Sequence, residues 1–161
     1  MVQTNYGFNT PIGQPGGLFD LSPVEIDSFL NEAATGALGF GMGVVKGTAA
    51  GTGVALPGDS SAAGDFEGIV VNRRTTENND DGVPVIKNKA TVGVLRYGRI
   101  YVKLATGADP AYGEALYMVK TGDDAGCFTD SSSSTVAIKG RFLTAAIDGI
   151  AAVELFNQAQ S

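Results

Sequence analysis

Residues 99–104 carry the clearest pattern in the chain: Ile100, Val102 and Leu104 alternate with Arg99, Tyr101 and Lys103. Alternation at period two is the signature of a strand with one buried and one exposed face. Similar short apolar stretches recur at residues 39–46, 53–56, 66–73, 83–86, 91–97, 99–105, 114–120 and 135–138, and in pieces over 141–156. Turn signals separate them at Pro57-Gly58, Asn78 to Gly82, Tyr97-Gly98, Thr106 to Pro110, Gly122 to Gly126 and Asp148-Gly149. Asp130 to Ser134 reads as a polar loop tip. Many short strands at this spacing predict a mainly β chain, folded as a compact β-barrel or β-sandwich.

Two N-terminal segments depart from that pattern. Residues 1–20 hold two prolines and four glycines and show neither a helical nor a strand period. They read as an extended arm, with Tyr6, Phe8, Ile12, Leu18 and Phe19 as apolar anchors, leaving 21–161 as a single β-rich domain. A short helix is expected to follow the arm. Ser22 stands three residues before Glu25 as in a capping box, and Pro23 occupies the first helical position. Val24, Ile26, Phe29, Leu30 and Ala33 then form one apolar face, and Gly36 offers a stop.

Composition sharpens this reading. The 161 residues include 23 glycines, a share about twice the average of ~7%. Glycine weakens helix interiors and supplies turns, so the excess favours short strands. Cys127 is the lone cysteine, so no internal disulfide forms, and beside Phe128 it reads as a small half-buried hydrophobe. The most apolar stretch, Ala33 to Val45, is shorter than the ~20 residues of a membrane span. No basic-apolar-small signal peptide is read at the start of the chain, and synthesis in the cytoplasm is expected. The net charge of −6 disfavours nucleic acid, which is held largely by cations on phosphate.

Catalytic chemistry finds little support. Without histidine, Ser-His-Asp and Cys-His arrangements are impossible and most zinc sites are excluded. No S-x-x-K occurs, and Gly39, Gly41 and Gly43 in GFGMG lack the final glycine of a dinucleotide loop. Lys46-Gly47-Thr48 reverses the Gly-Lys order of a phosphate loop. In the acidic turn Glu77 to Gly82, a calcium loop would need glutamate where Asn88 stands. No catalytic residue, cofactor, metal or small-molecule substrate is therefore expected. A carbohydrate-binding or hydrolytic β-domain remains as a rival, although no tryptophan is present to stack on a sugar.

Charge is unevenly distributed. Lys87, Lys89, Arg96, Arg99 and Lys103 lie between Gly82 and Ala108 without an acid, on a chain that is otherwise acidic. Paired with Tyr97 and Tyr101, this basic strand region has the composition of an interface. Arg96, Tyr97, Arg99, Tyr101 and Lys103 are the candidates for contacts between copies or with another surface. Protection of exposed sheet edges by cations is the alternative account.

Several segments in order resemble the structural cement, or capsid decoration, proteins of tailed bacteriophages. They are LSPVEIDSF, GFGMGVVKGT, FEGIVV, VGVLRYGRIYVKL, YGEALYMV, GCFT and GRFLTAAIDGIAAVELF. The resemblance implies a β-tulip-like domain that assembles as a homotrimer at local three-fold positions on the outside of the virion. Its partner would be the major capsid protein, and no active site would be carried over. A tail or baseplate module, or the base of a head fibre, is the alternative placement.

Overall fold

A computed structural model of the chain describes residues 13–73 and 78–157. Its strands are β1 (Glu25–Asn31), β2 (Gly43–Lys46), β3 (Gly53–Ala55), β4 (Phe66–Val70), β5 (Thr91–Lys103), β6 (Ala115–Val119), β7 (Phe128–Thr129), β8 (Thr135–Phe142) and β9 (Ile150–Leu155). The expected β-barrel is present. In the order β1-β3-β2-β4-β5, the strands close on themselves through an antiparallel β1–β5 pairing from Leu30–Thr91 to Glu25–Tyr97. Beyond Tyr97, β5 enters a second array, β5-β9-β8-β6-β7. That array returns to the residue just beyond β5 through an isolated parallel bridge between Phe128 and Leu104, where the Ala105 N–H donates to the Phe128 carbonyl at 2.8 Å. Closure leaves few unpaired strand edges for adventitious pairing.

The wall between the two arrays is buried on both sides, which explains its unbroken apolar runs. Val44, Val54, Val70, Val92 and Val94 pack in one cluster with Phe29, Met42 and Cys127. Their sequence neighbours Val45, Ile69 and Leu95 pack in the other, with Phe66, Ile100, Val102, Met118, Phe128 and Phe142. A strand enclosed on both faces needs apolar side chains at every position. Cys127 is fully buried, deeper than its expected half-exposure. Asp148 and Gly149, with φ of 53° and 74°, make the expected two-residue turn, closed by paired hydrogen bonds of 2.9 and 3.1 Å between Ile147 and Ile150.

The expected N-terminal helix is not formed. Residues Glu25–Asn31 are strand β1, and the sole helical turn among the described residues is Ala63–Asp65. The local start signal is redirected: the Ser22 N–H and hydroxyl both donate back to Asp20 rather than forward into a helix. Phe29 and Asn31 are buried while Ser28 and Leu30 face out, so burial follows a period of two and Leu30, expected on the apolar helix face, is turned to the surface. Pairing along most of β5 outweighs a capping preference worth about 1 kcal/mol. The turn expected at Tyr97-Gly98 is also absent, because β5 continues through it. Of the strand expected at 83–86, only a bridge from Pro84 to Asn78 appears.

Candidate functional site

The segment that precedes β1 is stitched to the same strand as β1 itself. Gly16 N–H donates to the Tyr101 carbonyl at 2.8 Å, Tyr101 N–H to Gly17 at 2.9 Å, and Phe19 N–H to Arg99 at 3.1 Å. Asn72 N–H donates to the Gly16 carbonyl at 2.8 Å, which fixes the segment beside the end of β4 as well. Residues 16–31 thus run antiparallel along most of β5. They leave it only between Asp20 and Val24, where pairing with Arg99 ends and pairing with Tyr97 has not begun. Gly98 makes this excursion possible. Its φ is +124°, and a Cβ there would stand 2.7 Å from Val24 Cγ1 and 3.2 Å from the Pro23 carbonyl oxygen. Any side chain at 98 would push the excursion away.

The outward side chains of β5 and its neighbours form a charge ladder. Arg99 opposes Glu154 across β5 and β9, and Glu154 opposes Arg141 across β9 and β8. Arg99 Nε donates to Glu154 Oε1 at 3.3 Å and Arg141 Nε to Glu154 Oε2 at 3.0 Å. Arg99 Nη1 then reaches Asp20 Oδ2 at 2.8 Å, tying the foot of the arm to the array. Donation from Ser22, and then from Arg99, holds the Asp20 carboxyl below its usual range. Asp20, followed by Glu154, raises Arg99 further above its already high value. Arg96 sits between Asp27 at 3.5 Å and Glu67 at 3.4 Å.

The expected interface residues therefore divide into two kinds. Arg96 and Arg99 are engaged by acids of their own chain, whereas Lys103 has no ion pair among the described residues. Tyr101 meets Phe19 edge-on, with ring centroids 5.5 Å apart, and Tyr97 is half exposed. Of the arm anchors, Leu18 and Phe19 lie on the body and remain 42% and 36% exposed. Tyr6, Phe8 and Ile12 lie outside the described residues. Sequence reasoning missed Asp20 and Glu154 as partners of Arg99, and Arg141 as the second partner of Glu154, since only strand pairing brings them together. It also missed Leu21, which is fully exposed at the tip of the excursion. The Ser22-Pro23 pair was the available signal for a break there.

Among the described residues, no cluster of three or more acidic, cysteine or histidine side chains is placed to hold a metal ion. Burial pushes the Cys127 thiol up, away from the reactive thiolate. Among the described residues, no helix is long and apolar enough to cross a membrane.

The profile of the phage family described as structural cement protein (E217 gp24/Pam3 gp6) matches residues 2–156. Among solved structures, a chain from the capsid of Myoviridae phage XM1 shares the fold, with a TM-score of 0.74 and 17% identity over 96% of each chain. No curated protein matches. The chain belongs to the bacteriophage structural cement protein family, and its role is structural, in the capsid, rather than enzymatic.

Proposed function

We propose that this protein binds the outer surface of the mature phage head as trimers at local three-fold positions and stabilises the shell. The family match over residues 2–156 carries the reading. The stitched segment refines its mechanism: residues 13–20 act as a fixed root, and residues 1–12, with Tyr6, Phe8 and Ile12, reach the major capsid protein. An extended segment of this kind adds to a sheet edge of its partner, with main-chain hydrogen bonds giving affinity and side chains specificity. Ordering one arm costs entropy, so a single arm binds modestly. Three arms on one trimer make the later contacts intramolecular, raising avidity by roughly 10²–10⁴.

Co-sedimentation with mature heads lacking the protein tests this. Full-length protein should saturate the heads, and a variant beginning at Gly13 should stay in solution with an unchanged circular dichroism spectrum. The truncation stops short of residues 13–20, because their loss would also uncover the β5 edge. Heads saturated equally by the truncated form would overturn the role of the arm. Heads that take up neither form would overturn the cement reading itself.

A further inference from the structure

The excursion Asp20–Val24 raises an apolar tip at the foot of the arm. Leu21 is 104% exposed and Val24 37%, while Phe19 (36%) and Tyr97 (43%) mark the two points where the chain leaves and rejoins β5. Single exposed apolar side chains are ordinary, but a group of them beside one strand marks a contact surface.

The charges around the tip indicate what it meets. Arg99 and Arg141 hold Asp20 and Glu154, and Arg96 lies between Asp27 and Glu67. Glu25 adds one carboxylate without an ion pair among the described residues. The arginines nearest the tip are thus already satisfied, and they offer little to an acidic partner. The chain carries a net charge of −6, so two copies repel over most of their surface. They approach at least cost where signs are interleaved and apolar side chains stand clear, which is the character of this edge.

We propose that the excursion Asp20–Val24, flanked by Phe19 and Tyr97, is the contact between copies of this chain, with Leu21 of each copy packing near the three-fold axis. This assignment deepens the trimer proposed above and rests on it. A stable contact buries about 800 Å² per partner, so the apolar tip forms the centre and the ion-pair mosaic the rim. The arms of three copies then start close to the axis that joins them.

Sedimentation equilibrium of full-length protein and Leu21→Asp tests the assignment. Leu21 is fully exposed, so the substitution removes no packing within its own chain and the variant folds. Wild type is expected at three times the 16.5 kDa chain mass, and Leu21→Asp at the mass of one chain with an unchanged circular dichroism spectrum and a lower melting temperature, because subunit contacts no longer stabilise the folded state. Leu21→Cys should form disulfide-linked dimers under mild oxidant, since the native Cys127 is buried. A wild type that sediments as single chains at high micromolar concentration overturns the proposal, as does a Leu21→Asp variant of wild-type mass. A variant that stays trimeric yet loses head binding turns this edge toward the shell and leaves the cement reading standing. A trimeric wild type that binds no heads does the reverse.

Discussion

From Val92 to Leu95, β5 is enclosed on both faces, Val92 and Val94 in one cluster and Leu95 in the other. From Gly98 to Lys103 the same strand keeps Ile100 and Val102 inside and turns Arg99, Tyr101 and Lys103 outward. The first stretch is held by volume: each side chain fills space that neighbours on two sides have left for it. The second is held on its outer face by pairing, with hydrogen bonds, ion pairs and one aromatic contact to the arm root. Dispersion and apolar burial are short-ranged and punish any change in shape. Ion pairs in contact with water contribute little each and tolerate change. One strand therefore serves as a rigid beam at one end and as a replaceable surface at the other.

The contrast is broken most forcefully at Leu95. Leu95→Ala should cost about 2–5 kcal/mol, from lost burial plus the cavity left behind. For a chain of this size that lowers the melting temperature by roughly 5–15 °C. Lys103→Ala, on the exposed face, should change stability by no more than about 0.5 kcal/mol. Thermal melts of the two variants side by side check this. Equal losses would mean that both ends of β5 are held in the same way.

A smaller effect is expected at the joint between the two stretches. Gly98→Ala places a side chain at φ +124° and against Val24, and should cost about 1–3 kcal/mol. Adding Val24→Ala removes the nearest atom, so the double variant should recover part of the loss if crowding contributes to it. Melts of both single variants and the double variant separate crowding from backbone strain. No recovery at all would assign the whole cost to the backbone.

The contrast also explains what was legible in the sequence. Ile100, Val102 and Leu104 announced a one-sided strand because their alternation is local. The doubly buried stretches at Val44-Val45 and Ile69-Val70 read correctly as strands, but the ring closure behind them did not, because β1–β5 pairing joins residues far apart in the chain. Glu25–Asn31 misled because Ile26, Phe29 and Leu30 suit either period, and Ser22 with Glu25 tipped the balance toward helix. The loop at Asp20–Val24 and the ladder through Glu154 depend on register alone, which no run of residues displays. The proline and glycine content of residues 1–20 raised the expectation of an extended segment, of which residues 13–20 are described. It carried no sign that 13–20 would be fastened to β5.

The smallest effect should be seen at the arm root, and its pH dependence identifies it. Asp20 accepts from the Ser22 N–H and hydroxyl and pairs with Arg99, so its folded-state pKa lies below the unfolded value of about 3.9. A group with a lowered folded pKa stabilises fully above the unfolded value, and that contribution disappears as pH falls through the folded value. Asp20→Asn removes the charge while keeping an oxygen for Ser22. The variant should therefore melt slightly below wild type from neutral pH down to about pH 5, and the gap should close in stronger acid. Glu32 and Asp65 also titrate below their usual range, Glu32 mainly through backbone donors at Ala49 and Thr48 and Asp65 mainly through Lys46. Acid unfolding of wild type thus reports all three carboxylates, and only the difference between wild type and variant isolates Asp20. A gap that widens as the pH drops would mean that the carboxylate is not stabilised in its charged form, and that hydrogen bonding alone fastens the root to β5.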